Sequence, residues 1–139
     1  MHKHRILIVE DDTSLVQTLR VLLKRDYEVV TAEDGQIGFR VAQVAEPDLM
    51  IVDLLMPRMP GIEFCHAVKS IPKLQNIPII VITGVISEEV EEEVKKIGAE
   101  VFLPKPFEME DLLKHVHNLV KYLPRSDKKL SIYDLQGYE

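Results

Sequence analysis

One cysteine, Cys65, is all the thiol chemistry this chain carries, so no internal disulfide can form and a reducing compartment suits it. Positive charge is also short: 17 Lys and Arg against 23 Asp and Glu give a net charge of −6, which argues against a domain that itself grips nucleic acid. No apolar run approaches the ~20 residues of a membrane span. The start, Met1-His2-Lys3-His4-Arg5, leads into a short apolar run without a small-residue cleavage pattern. Neither membrane insertion nor a signal peptide is expected, and the cytoplasm is the expected location. Internal repeats and low-complexity segments are lacking too. What is present is 46% apolar and 29% charged residues in a 139-residue chain, the make-up of one globular domain with a usable core.

Short apolar runs alternate with amphipathic stretches. The runs fall at 6–9, 27–31, 49–52, 79–82 and 101–103. They are continuous rather than alternating, as in strands buried on both faces. Helical patterns lie between and after them, at roughly 14–25, 34–45, 61–70, 87–98 and 107–123. Thr13 or Ser14 is expected to cap the first helix, with Asp11 and Asp12 as alternative caps, and Ser87 the fourth, with Gly98 stopping the fourth. Five β-α alternations predict an α/β domain, a single doubly wound (βα)5 unit with a parallel sheet and helices on both faces. Pro78 can open the fourth strand. Pro104 removes a ladder donor from the fifth, which should therefore lie at an edge. The strand order 2-1-3-4-5 puts it there and places ligands beside the ends of strands one and three. The domain is expected to span 1–123. Residues 124–139 read as a tail or linker stub, polar over Pro124-Arg125-Ser126-Asp127-Lys128-Lys129 and apolar again at Leu130, Ile132, Tyr133, Leu135 and Tyr138.

Chemistry collects at the carboxyl ends of these runs. Glu10 and Asp11 end the first, Asp53 the third, Thr83 the fourth, and Lys105 follows the fifth. A carboxylate at the end of a buried strand is costly unless a cation or a reaction needs it. Three converging carboxylates repel, and a divalent cation removes the conflict. Mg²⁺ accepts oxygen ligands, keeps several waters, and needs only one or two carboxylates. A carboxylate can serve as nucleophile and form an acyl phosphate. Lysine offers a mobile point charge for phosphoryl oxygens, and a threonine hydroxyl a donor that can turn toward them.

These residues resemble the receiver domain of two-component response regulators over 4–123. Four blocks carry the resemblance: Ile6-Leu7-Ile8-Val9-Glu10-Asp11-Asp12, Asp53-Leu54-Leu55-Met56-Pro57-Arg58-Met59-Pro60-Gly61, Ile79-Ile80-Val81-Ile82-Thr83 and Val101-Phe102-Leu103-Pro104-Lys105-Pro106-Phe107. Any one block is weak; four in order, each at a strand end, are specific. The resemblance implies the flavodoxin-like fold, Asp53 as phosphoacceptor, and a Mg²⁺ held by Asp11, Asp53, the backbone carbonyl of Leu55 and, through water, Glu10. It implies Thr83 as the switch hydroxyl, Lys105 as the phosphoryl-pairing lysine, Phe102 as the aromatic switch position and a cis Lys105-Pro106 bond. The implied function is a phosphorylation-dependent signalling switch, not an enzyme beyond catalysing its own aspartyl phosphorylation and dephosphorylation. Upstream it would meet a sensor histidine kinase or a phosphotransfer protein. Downstream, the face of helix four, strand five and helix five would control a partner protein, a covalently linked output domain or a second copy in a phosphorylation-dependent homodimer.

Departures from the family pattern are informative. Glu10 stands where Asp is usual, and Asp12 extends the acidic run, so the metal ligand could slip by one residue, although the register favours Asp11. Gly84 leaves room near the phosphoryl position. Leu55 and Val85 are apolar and place no base to orient a hydrolytic water, which points to a long-lived phosphoryl group. Phe102 has no hydroxyl, so its rotation would rest on packing. The alternative function is a pseudo-receiver, a protein-interaction module that is not phosphorylated; the complete set Glu10, Asp11, Asp53, Thr83 and Lys105 argues against it. A dehalogenase-type phosphatase would want Asp-x-Asp, and position 55 is Leu. A flavodoxin would want a Ser/Thr/Gly-rich loop where Glu10-Asp11-Asp12-Thr13 stands. His115 and His117 diverge on a helix and His66 lacks metal spacing to Cys65. His2 and His4, at a flexible start, could bind metal incidentally. The glutamates of 88–93 followed by Lys95 and Lys96 read as a solvated face ordered along the helix dipole, with a partner-facing surface as the alternative. No helix-turn-helix, basic patch or catalytic motif follows residue 123.

Overall fold

Ten elements alternate among the described residues: β1 (Arg5–Val9), α1 (Thr13–Leu23), β2 (Glu28–Ala32), α2 (Gly35–Ala45), β3 (Leu49–Asp53), α3 (Gly61–Lys69), β4 (Ile79–Thr83), α4 (Glu88–Ile97), β5 (Val101–Pro104) and α5 (Met109–Val120). The structure, a computed structural model, describes residues 3–56 and 58–123. The tail expected over 124–139 lies outside the described residues. All five strands are parallel, in the order β2-β1-β3-β4-β5. β5 is an edge strand, as Pro104 requires. The order reverses between β1 and β3, so the crevice at their carboxyl ends is flanked by Val9 and Val52, which are register partners.

Each central strand is apolar except at one end residue, Arg5, Asp53 or Thr83, because each face meets a helical layer. Leu7 and Val9, Met50 and Val52, and Ile79 and Val81 point into one core with residues of α2, α3 and α4. Ile6 and Ile8, Leu49 and Ile51, and Ile80 and Ile82 point into a second core with Leu19 and Leu23 of α1 and Leu112, Val116 and Val120 of α5. These side chains are almost wholly shielded from solvent. At ~25 cal/mol per Å² of apolar surface, that burial is the main force holding the layers together. Among the described residues no helix is long and apolar enough to cross a membrane.

Helix ends follow their capping chemistry. Ser87 accepts from the Val90 N–H to start α4, and Gly98 ends it with a left-handed backbone, φ 79°. One expected cap is corrected. Neither Thr13 nor Ser14 starts α1; Asp12 does, its carboxylate accepting from the Ser14 and Leu15 N–H groups. A second correction concerns His4. It is not at a loose start: it is buried, and its Nε2 lies 2.7 Å from the carbonyl of Leu123, across the domain. Cys65 is buried within α3, and that burial pushes its thiol up to about 12, so it is chemically quiet.

Candidate functional site

The crevice collects the strand ends. The Glu10 N–H donates to the Ala32 carbonyl, which carries the β1 pairing one residue further and aims Glu10 over the sheet. Asp53 closes β3 and is buried. Glu10, Asp11 and Asp53 each offer a carboxylate oxygen, and these oxygens lie within 4.8 Å of one another. Glu10 and Asp53 are buried, while Asp11 is exposed at the mouth. Lys105 reaches in from the opposite side. Its backbone N–H donates to the Thr83 carbonyl at 2.7 Å, and the bond to Pro106 is cis, as the resemblance implies. Its ammonium donates to Glu10 Oε1 at 2.7 Å and to Asp53 Oδ2 at 3.2 Å.

The second carboxylate oxygen of Glu10 and that of Asp53 each accept from the backbone. Glu10 Oε2 accepts from the Asp12 N–H and Asp53 Oδ1 from the Leu55 N–H. Thr83 is buried at the end of β4, one position beyond the register partner of Asp53, and its Oγ1 accepts from the Val85 N–H. Phe102 is half-buried and packs against the α2–α4 core. Leu55, Val85 and Ile86 are exposed apolar side chains on the two loops beside Asp53 and Thr83. A Cβ at Gly84 would meet nothing within 4 Å, so the room expected there exists. Beside Lys105 runs a cavity of about 380 Å³ lined by Asp12, Leu15, Pro106, Phe107 and Met109.

The electrostatics express a conflict. Burial pushes the Glu10 carboxyl up to about 7; the bond from Lys105 pulls it down and the Asp53 carboxylate pushes it up again. Burial alone would lower Lys105, yet its bonds to Glu10 and Asp53 hold its ammonium above the ordinary value. A donor set made only of carboxylate oxygens, open at Asp11 and under mutual repulsion, fits a hard divalent cation.

Three residues the sequence did not single out also shape the site. Asp34 caps α2 and is fully buried, accepting from the Ile37 N–H at 2.9 Å and from Arg58 Nε at 2.6 Å. Arg58 lies in the loop after Asp53, with φ 61°. Gly35 is so close to that loop that a Cβ would sit 2.2 Å from the Met59 carbonyl. The available signal was an acid just before a helix-opening glycine and an arginine between two Met-Pro pairs. Among the described residues, no histidine and no α4 glutamate joins the acid cluster. His66 and His117 are exposed, as are Glu88, Glu89, Glu91 and Glu92.

Residues 6–117 match the family model described as the response regulator receiver domain. Response regulator MprA of Mycolicibacterium vanbaalenii is 35% identical over 120 residues, covering 84% of this chain and 50% of that protein. Histidine kinase P4 of Formosa agariphila is 35% identical over 129 residues, covering 93% of this chain and 9% of that protein. The chain therefore spans half or less of the length of these curated relatives. The solved structure of chemotaxis protein CheY4 of Vibrio cholerae superposes with a TM-score of 0.79 at 37% identity, over 85% of this chain and 99% of that one. With acids and a lysine converging at the strand ends of a 2-1-3-4-5 sheet, and with a family match across most of its length, this chain belongs to the response regulator receiver domain family.

Proposed function

We propose that this domain is a phosphorylation-dependent signalling switch whose phosphoacceptor is Asp53. The observation that carries this is the Lys105 ammonium bonded to both Glu10 and Asp53 at the topological switch point. A histidine kinase or a phosphotransfer protein would present a phosphohistidine. An Asp53 carboxylate oxygen attacks phosphorus, the P–N bond breaks, and the electron pair leaves with the imidazole. Lys105 then exchanges a carboxylate partner for a phosphoryl oxygen. Thr83 would leave the Val85 N–H and donate to the phosphoryl group, and Phe102 would follow by packing, which biases the face of α4, β5 and α5 toward a partner. Asp11, Asp53, the Leu55 carbonyl and, through water, Glu10 would hold Mg²⁺, which supplies positive charge against the phosphoryl oxygens when bound. The protein donor would dock on the cavity beside Lys105, where Leu15 and Phe107 offer apolar contact next to the reacting oxygen.

The test is intact mass after incubation with acetyl phosphate, with and without Mg²⁺, on wild type and Asp53→Ala. Gain of one phosphoryl group that needs both Mg²⁺ and Asp53 is the expected result. No gain under any condition would favour a protein-interaction module that is not phosphorylated.

A further inference from the structure

The loop from Leu54 to Pro60 carries Leu55, whose carbonyl is a proposed metal ligand, yet the Leu55 side chain is 57% exposed. Loops that exposed are usually loose. This one is pinned at both ends. At the α3 end, a Cβ on Gly61 would lie 2.2 Å from the Asp53 carbonyl oxygen, so helix and strand end are in tight contact, and the Gly61 N–H donates to the Leu54 carbonyl. At the outer end the pin is a side-chain pair. Arg58 reaches 24 residues back to Asp34, with Nε at 2.6 Å from Oδ2 and Nη2 bonded to the same oxygen. Next to it, Gly35 is pressed against the Met59 carbonyl.

Two features make the pair more than surface decoration. Asp34 is fully buried, although Arg58 is 55% exposed, and a buried carboxylate is retained only when partnered. Burial alone would raise its carboxyl, but the Ile37 N–H and Arg58 together hold it below the ordinary value, so it stays charged. Arg58 also adopts the left-handed region at φ 61°, a conformation a non-glycine residue keeps only where its surroundings enforce it. The bonds to Asp34 are the contacts its side chain makes with a buried group.

We propose that Asp34 and Arg58 are positioning residues for the metal-binding loop: the pair anchors the far side of the Asp53–Gly61 turn to the start of α2 and thereby holds the Leu55 carbonyl in register with Asp11 and Asp53. This rests on the receiver function proposed above. It assigns to α2 a share in the chemistry, although no α2 residue touches the acid cluster.

Mg²⁺ titration by calorimetry on the full chain tests it, with wild type, Asp34→Asn, Arg58→Gly and the double variant. Asparagine keeps the α2 cap and glycine accepts the left-handed backbone, so both variants keep the local fold. Each single change is expected to weaken Mg²⁺ binding about tenfold, the scale seen when outer-shell support of a metal site is lost. The double variant should bind as either single one does, because the pair acts as a unit. The direction is diagnostic. Asp34→Asn removes a negative charge and Arg58→Gly a positive one, so long-range charge alone would move the affinity in opposite directions, while lost positioning weakens it in both. Opposite shifts overturn the proposal. So do additive losses in the double variant, or unchanged affinity with a lowered melting temperature, which would make the pair a stabilising clamp only. A wild type that binds no Mg²⁺ overturns the metal-dependent switch itself, and the positioning role with it.

Discussion

Glu10 should make cation binding depend steeply on pH near neutrality. Its carboxyl is pushed up to about 7, first by burial and against the pull of Lys105. A metal site must shed its protons to bind, so the cation competes with the Glu10 proton. From that value, about a tenth of molecules have Glu10 ionised at pH 6 and about nine tenths at pH 8. Mg²⁺ affinity should therefore rise about tenfold from pH 6 to pH 8. Binding should release about 0.9 proton per ion at pH 6 and about 0.1 at pH 8. Stability without the cation runs the other way. Between 4.5, the ordinary value, and about 7 the folded chain holds more protons than the unfolded one. Unfolding free energy thus falls as pH rises through that window, by up to about 3 kcal/mol. Saturation relieves this: at ten times Kd the ion adds about 1.4 kcal/mol. Calorimetry at pH 6, 7 and 8 in two buffers of different ionisation enthalpy reads both affinity and proton release. Glu10→Gln should flatten the profile and abolish the release. A flat wild-type profile, or the same release in Glu10→Gln, would refute the reasoning.

Three further outcomes are expected. Gly61→Ala should cost about 2–3 kcal/mol in chemical denaturation, because its Cβ would enter the Asp53 backbone, whereas Gly84→Ala, with nothing nearby, should stay within about 0.5 kcal/mol; equal costs would contradict the packing described. Phosphoryl loss from purified protein, followed by intact mass, should take many minutes, since the exposed Leu55 and Val85 orient no water; a half-life of seconds rules this out. Leu15→Gln should slow transfer from a phosphotransfer protein about tenfold, at the scale of one lost apolar contact, while acetyl phosphate still modifies Asp53 at the wild-type rate. Parallel loss with both donors would remove the cavity beside Lys105 as the docking surface.

Much of the architecture was legible in the sequence because the sheet is parallel and covered on both faces. Continuous apolar runs such as 49–52 fit only a doubly buried strand once helices flank them. Pro104 gave the edge, and Ser87 and Gly98 gave the ends of α4. The gathering of Glu10, Asp11 and Asp53 followed from strand order, and the place of Lys105 beside them from the resemblance. What escaped depends on geometry between distant residues. Thr13 and Ser14 look fit to cap α1, as do Asp11 and Asp12, and the backbone selects Asp12. His4 sits near the amino terminus, yet its partner is the carbonyl of Leu123, 119 positions away. The bond between Asp34 and Arg58 joins residues 24 positions apart, one of them with a left-handed backbone, and no local pattern encodes it.

The double-sided burial of the sheet also leaves a problem of alignment. In a half-exposed sheet, a one-residue slip throws apolar side chains into water and is rejected. Here β1, β3 and β4 are apolar at nearly every position, so a slipped strand would still lay oil against oil on both faces. The penalty must come from the polar termini. At the amino ends, buried Arg5 sits opposite Glu28, donates to it at 2.9 Å and to the Ala45 carbonyl at 2.8 Å, while its N–H meets the Asp48 carboxylate at 2.7 Å. At the carboxyl ends, Lys105 ties Glu10 to Asp53. A shift by one step would strand buried charges at both ends of the sheet. The strands are thus zeroed like a vernier at their two tips, and the same ion pairs that assemble the chemistry tell the chain where each strand belongs.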